Sequence, residues 1–155
     1  MGVVAAALVL CHCARGGEAP VRLVDPSARP SGVALALEAR PDPVASGGVV
    51  TLTVRSASPG GWEAAPPITV HLPPGAGEAR VESAGWVCQA EASAGDAIQA
   101  EAHIDVACLA ALAGRAPGLL LTFGAPASAG TIRTCVTEGR PGRSPAPTCI
   151  ESTVQ

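Results

Sequence analysis

Apolar and polar residues alternate with a period of two in one short stretch after another, the pattern of strands with a single buried face. Val33, Leu35 and Leu37 share one face, and Ala34, Ala36 and Glu38 the other. Arg40-Pro41-Asp42-Pro43 interrupts the pattern and Gly47-Gly48 turns the chain. Val50, Leu52 and Val54 then alternate with Thr51, Thr53 and Arg55, the cleanest strand in the sequence. After Ser58-Pro59-Gly60-Gly61, Ile68, Val70 and Leu72 alternate with Thr69 and His71 until Pro73-Pro74-Gly75. Further strands are expected over 79–88, 104–109, 119–123 and 131–137, with 148–153 pairing back on the last of these. Residues 89–101 read as a hairpin loop or a short weak strand. Helical content is confined to 108–116, rich in Ala and Leu and bounded by Pro117. Strands this short, separated by turn residues at this spacing, predict an all-β sandwich.

Composition agrees with that expectation. At 155 residues the chain has room for one sandwich core and not two. Hydrophobic residues make up 48%, but aromatics only 2%, limited to Trp62, Trp86 and Phe123. The core must therefore be built from Val, Leu, Ile and Ala. With 18 Gly and 15 Pro spread along the chain, long helices are excluded. All ten basic residues are Arg, scattered singly, and the net charge is −3, so the basic footprint of a nucleic-acid binder is absent. The sequence has no Asn and hence no N-glycosylation acceptor.

The apolar run from Met1 to Leu10 has the length of a signal-peptide core and falls far short of the ~20 residues that span a bilayer. No positive side chain precedes it, and a buried N-terminal strand is the alternative reading. The expected organisation is a signal peptide over 1–19, cleaved after Gly16 or Ala19, a linker over 20–32, and one domain over 33–155. No later segment is apolar enough to cross a membrane as a helix. Neither Cys11, preceded by Leu10, nor Cys13, preceded by His12, fits a lipid-anchor motif. Removing the leader leaves Cys88, Cys108, Cys135 and Cys149, an even number that in an exported chain implies two disulfides with three possible pairings. Proximity in sequence favours Cys88–Cys108 and Cys135–Cys149. Two such links would offset a core with little aromatic content.

Several landmarks stand in order: Pro41-Asp42-Pro43-Val44 before Gly47-Gly48, Leu72-Pro73-Pro74-Gly75, Gly85-Trp86-Val87-Cys88, Val106-Ala107-Cys108-Leu109 and Ala127-Ser128-Ala129-Gly130-Thr131-Ile132. Over residues 33–138 the chain resembles the bacterial conserved-repeat domain of cell-surface proteins, the domain of unknown function number eleven. The resemblance implies an Ig-like antiparallel β-sandwich of about seven to eight short strands, with Cys88 and Cys108 disulfide-bonded. The chain departs from that family in the segment 56–62, in the long stretch between Cys88 and Cys108, and in carrying Cys135 on its last matching strand.

Catalytic chemistry finds little support. His71 and His103 fall on strands opposite apolar neighbours and are expected to be solvated, outward-facing residues. His103-Ile104-Asp105 aligns an imidazole and a carboxylate on one strand face, but no nucleophile motif accompanies them. Asp42, Asp96 and Asp105 supply no cluster of the six to eight oxygens that calcium takes. Trp62, in a Pro/Gly turn, is expected to be exposed and is a possible ligand contact, suited to sugar stacking. Trp86, two residues before Cys88, is expected to pack against the disulfide. No catalytic residue, metal ligand or cofactor is expected. The reading is a secreted, periplasmic or cell-surface module, structural or adhesive, acting on an envelope or protein partner, without nucleic acid. A module binding a glycan or metal through Trp62 or the His71/His103 face is the alternative.

Overall fold

A computed structural model of the protein describes residues 34–111, 116–139 and 146–155. The leader, the linker, Val33, Cys11 and Cys13 lie outside the described residues, as does part of the stretch expected to be helical, 112–115. Among the described residues nine strands are formed: β1 (Leu35–Arg40), β2 (Val49–Ser56), β3 (Ile68–His71), β4 (Ala79–Val81), β5 (Trp86–Ser93), β6 (His103–Ala110), β7 (Leu119–Gly124), β8 (Gly130–Glu138) and β9 (Thr148–Val154). They make a four-stranded sheet ordered β1-β2-β7-β4 and a five-stranded sheet ordered β5-β6-β3-β8-β9. Every neighbouring pair is antiparallel.

This order is that of an immunoglobulin-like frame. In such folds one sheet runs A-B-E-D and the other C-F-G. Here β1, β2, β7 and β4 occupy the first set of places, and β3, β8 and β9 the second. The β5–β6 hairpin is an addition, placed against the free edge of β3. Between β1 and β2 the chain crosses toward the other sheet, where Val44 forms a parallel bridge with Val154.

The alternation read from the sequence places the core. Val50, Leu52 and Val54 of β2 face Leu119, Leu121 and Phe123 of β7 across their register, and all six are buried. The opposing sheet contributes Ile68, Val70, Val106, Cys108 and Val136, also buried. Aliphatic side chains of this size gain about 1.5–3 kcal/mol each on full burial, which makes the interleaved apolar faces the main driving force.

Three expectations need correction. The strand expected over 79–88 is two strands in different sheets, β4 and β5, separated by a turn in which Gly85 has φ 86°, a left-handed conformation open to glycine. Both readings of 89–101 hold in part, since β5 extends to Ser93 and the rest connects it to β6. Residues 108–110 are strand rather than helix, because Cys108 pairs with both Cys88 and Ile68 and its side chain is in the core. Pairing on both sides and burial override the local helix preference of Ala and Leu. Trp62 is not exposed: its accessibility is 2%, its ring meets that of Trp86 edge-on at 5.5 Å, and it bridges Ala116. An indole's large apolar area is stabilised more by this partner than by water.

Candidate functional site

The two disulfides join directly opposed residues on adjacent strands of the five-stranded sheet. Cys88–Cys108 links β5 to β6 and Cys135–Cys149 links β8 to β9, each with Cα atoms 4.1 Å apart. They lie on opposite faces. Cys108 belongs to the core cluster with Cys88 against it, whereas Cys135, although buried, is not part of that cluster. Strand alternation puts Cys135 on the outer face together with Thr137, His71, His103 and Asp105.

An outer face is normally wet, and the part of this one around His71, His103 and Cys135 is not, although Val87 and Leu109 further along it are exposed. His71 and His103 are each only 5% exposed. They point away from the core as the alternation implies, so their direction follows the sequence, but their expected solvation does not. The cause is the β5–β6 connection, residues 94–102, which returns over the sheet. Gln99 is buried there, and its amide Nε2 donates to the Arg133 carbonyl of β8 at 2.7 Å. That bond spans from the added hairpin past β3. The turn holding it is set by Asp96, whose Oδ1 accepts the Ile98 and Gln99 amides at 2.7 and 2.8 Å. These hydrogen bonds, Gln99 first, hold the Asp96 carboxyl below the ordinary carboxylate range, with a lesser contribution from the nearby His71 and His103 imidazoles.

The strand register and this loop bring four side chains together. His71 lies opposite Asp105 in the β3–β6 pair, and His103 sits two residues before Asp105 on the same face. Asp96 arrives from the loop. His71, Asp96, His103 and Asp105 each present a ligand-type atom, no two of them more than 4.8 Å apart. Asp105 Oδ1 is 2.7 Å from His71 Nδ1 and 2.9 Å from His103 Nε2. The remaining ring nitrogens are engaged from behind: His103 Nδ1 donates to the Glu101 carbonyl at 2.9 Å, and His71 Nε2 meets the Thr137 hydroxyl at 3.0 Å. Of the aspartates weighed in the sequence, Asp42 lies elsewhere, with its Oδ1 accepting the Thr153 amide. The His103/Asp105 alignment was visible in the sequence. The approach of Asp96 was not, because it depends on where a long loop lands.

The arrangement suits holding a cation or a shared proton between two imidazoles and two carboxylates. A groove of about 340 Å³ nearby, lined by Pro73, Pro74, Gln99, Pro126, Ile132 and Arg133 among others, offers no carboxylate, imidazole or thiol among its described lining residues.

No protein-family model matches the chain, and no curated protein is similar to it at a significant level. Among solved structures, the chain is similar to an uncharacterized protein from Nocardia farcinica whose crystal structure is described as revealing an immunoglobulin-like fold. The identity is 15%, the match covers 77% of this chain and 96% of that one, and the TM-score is 0.40.

Proposed function

We propose that this chain is an exported Ig-like module of the bacterial cell surface or periplasm that works by structure and adhesion rather than by catalysis. The observation that carries the reading is the pairing of all four cysteines of the described domain into cross-strand disulfides. Bridges of this kind persist in oxidising compartments and are rare in the cytosol. Among the described residues no helix is long and apolar enough to cross a membrane. The resemblance to the conserved-repeat domain of cell-surface proteins supports the same compartment and a role in an envelope assembly. The sugar-binding alternative loses its platform, because Trp62 is buried against Trp86.

Fractionation of the native host with mass analysis after thiol alkylation tests the proposal. The expected result is protein outside the cytoplasm with none of Cys88, Cys108, Cys135 and Cys149 alkylated. Cytoplasmic protein with free thiols at these positions would overturn it. The metal version of the ligand-binding alternative is favoured by a separate observation, the four-residue cluster on the outer face.

A further inference from the structure

We propose that His71 Nδ1, His103 Nε2, Asp105 and Asp96 form a binding site for a first-row transition-metal dication of the zinc type, closing the 94–102 loop onto the five-stranded sheet. The decisive atom is His103 Nε2. The His103 side chain is fully buried, and its Nδ1 is committed as a donor, because the Glu101 carbonyl can only accept. In the neutral imidazole, Nε2 therefore carries a lone pair. It has no aligned hydrogen-bond partner among the described residues, yet Asp105 Oδ1 lies 2.9 Å away. A lone pair set against a carboxylate oxygen is repulsive unless a positive centre lies between them. Leaving such a group buried and unsatisfied is costly, so its retention calls for a partner.

The surroundings resemble those of a metal-bound imidazole. A ligating histidine ordinarily donates its other ring N–H to a carbonyl, carboxylate or hydroxyl-type acceptor, which fixes the tautomer and aims the free nitrogen. Glu101 serves His103 in this way, and the Thr137 hydroxyl can serve His71. Asp96 Oδ1 is occupied by the two loop amides, which orients the carboxylate while leaving its other oxygen free of those bonds.

The donor set selects the ion. Two imidazoles with two carboxylates match zinc and its neighbours. They are too few oxygens for calcium and lack the thiolate or thioether that favours copper(I). Four protein ligands also fill a tetrahedral shell, the hallmark of structural rather than catalytic zinc. The consequence is mechanical: Asp96 is exposed on the loop, the other three ligands lie on β3 and β6, and a shared ion ties the two together. This inference goes beyond the exported-module reading, which rests on the cysteines and stands or falls separately.

The test uses the full chain produced with its disulfides intact, untagged and stripped with a chelator, titrated with Zn²⁺ by calorimetry and with Co²⁺ by absorption. The expected result is one Zn²⁺ per chain, the intense visible bands of tetrahedral Co²⁺, and no displacement by excess Ca²⁺. Asp96→Asn keeps an oxygen to accept the Ile98 and Gln99 amides and should fold as the parent does, but should bind Zn²⁺ at least tenfold more weakly. His103→Gln should weaken binding further. Zn²⁺ should also slow hydrogen exchange at the Ile98 and Gln99 amides in the parent protein. Absence of saturable Zn²⁺ uptake by the folded parent, or unchanged affinity in Asp96→Asn, would overturn the proposal.

Discussion

The two sheets present outer faces of opposite character. On the four-stranded sheet, Glu38 pairs with Arg40 and Arg55, and Arg80 with Glu78, all on exposed side chains. Thr51, Thr53 and Thr122 fill in between, as alternation requires. On the five-stranded sheet the corresponding face holds two buried histidines, a buried disulfide sulfur and a glutamine whose amide is spent on a backbone carbonyl. Both faces are polar by sequence pattern at these positions. What separates them is a loop: the first sheet is left open to water, and the second is covered by residues 94–102 around His71, His103 and Cys135, while Val87 and Leu109 on the same face stay exposed. Polarity along a strand therefore reports which way a side chain points, and only the tertiary arrangement decides whether water reaches it.

The largest effect that bears on this contrast comes from the bridges, both of which lie in the covered sheet. The Cys88–Cys108 and Cys135–Cys149 loops separate residues 20 and 14 positions apart. For loops near 15 residues the chain-entropy contribution is about 3 kcal/mol apiece. Reduction of both should thus remove an amount comparable to the whole margin of a small domain, about 5–15 kcal/mol. Urea unfolding with and without reductant should show a collapse of the midpoint. A midpoint that barely moves would mean that the covered sheet is held by its loop and core alone. Next in size, Leu52→Ala removes a fully buried side chain from the inner face of the open sheet and should cost about 2–5 kcal/mol in the same measurement. Thr53→Ala, its outward neighbour, should stay within about 0.5 kcal/mol.

Leu52 and Thr53 also show how much of the molecule was visible in the sequence. Strict alternation in β2 and β3 identified their buried faces, and strands were also expected where β7, β8 and β9 form. The cysteine pairings followed from their proximity in sequence. What escaped was whatever depended on a long-range contact. Trp62 sits among turn residues that imply exposure, yet its ring finds Trp86 across a gap of 24 positions in the sequence. At 108–110 the helix expectation weighed the propensities of Ala and Leu, which a strand paired on both sides at Cys108 overrules. The polar cluster was half visible, because His103 and Asp105 align locally whereas His71 joins by register and Asp96 by the path of a loop.

That loop path supplies a smaller and sharper test. Gln99→Ala leaves the Arg133 carbonyl without its side-chain donor and frees the loop from β8. A stability loss of about 0.5–1.5 kcal/mol is expected, the usual net contribution of one intramolecular hydrogen bond. Hydrogen exchange should localise the change, with faster exchange in residues 96–102 and little change in β1 and β2. Uniform acceleration across both sheets would show that the loop is part of the global unfolding unit rather than a cover upon it.

The smallest effect is expected on the open face. Glu38 joins Arg40 and Arg55, with side chains 79% and 59% exposed on the arginines and 38% on the glutamate. In that setting the Coulomb gain is screened by solvent and offset by ordering three long side chains, so exposed pairs contribute about 0–1 kcal/mol. Glu38→Gln keeps the shape and removes the charge, and its cost should fall at the lower end of that range and vanish by 1 M salt, where the Debye length drops to about 3 Å. Urea unfolding at low and high salt makes the comparison. Should Glu38→Gln cost as much as Gln99→Ala, and do so at both salt concentrations, the open face would be carrying an ordered, effectively desolvated network. The contrast between the two faces would then rest on something other than access to water.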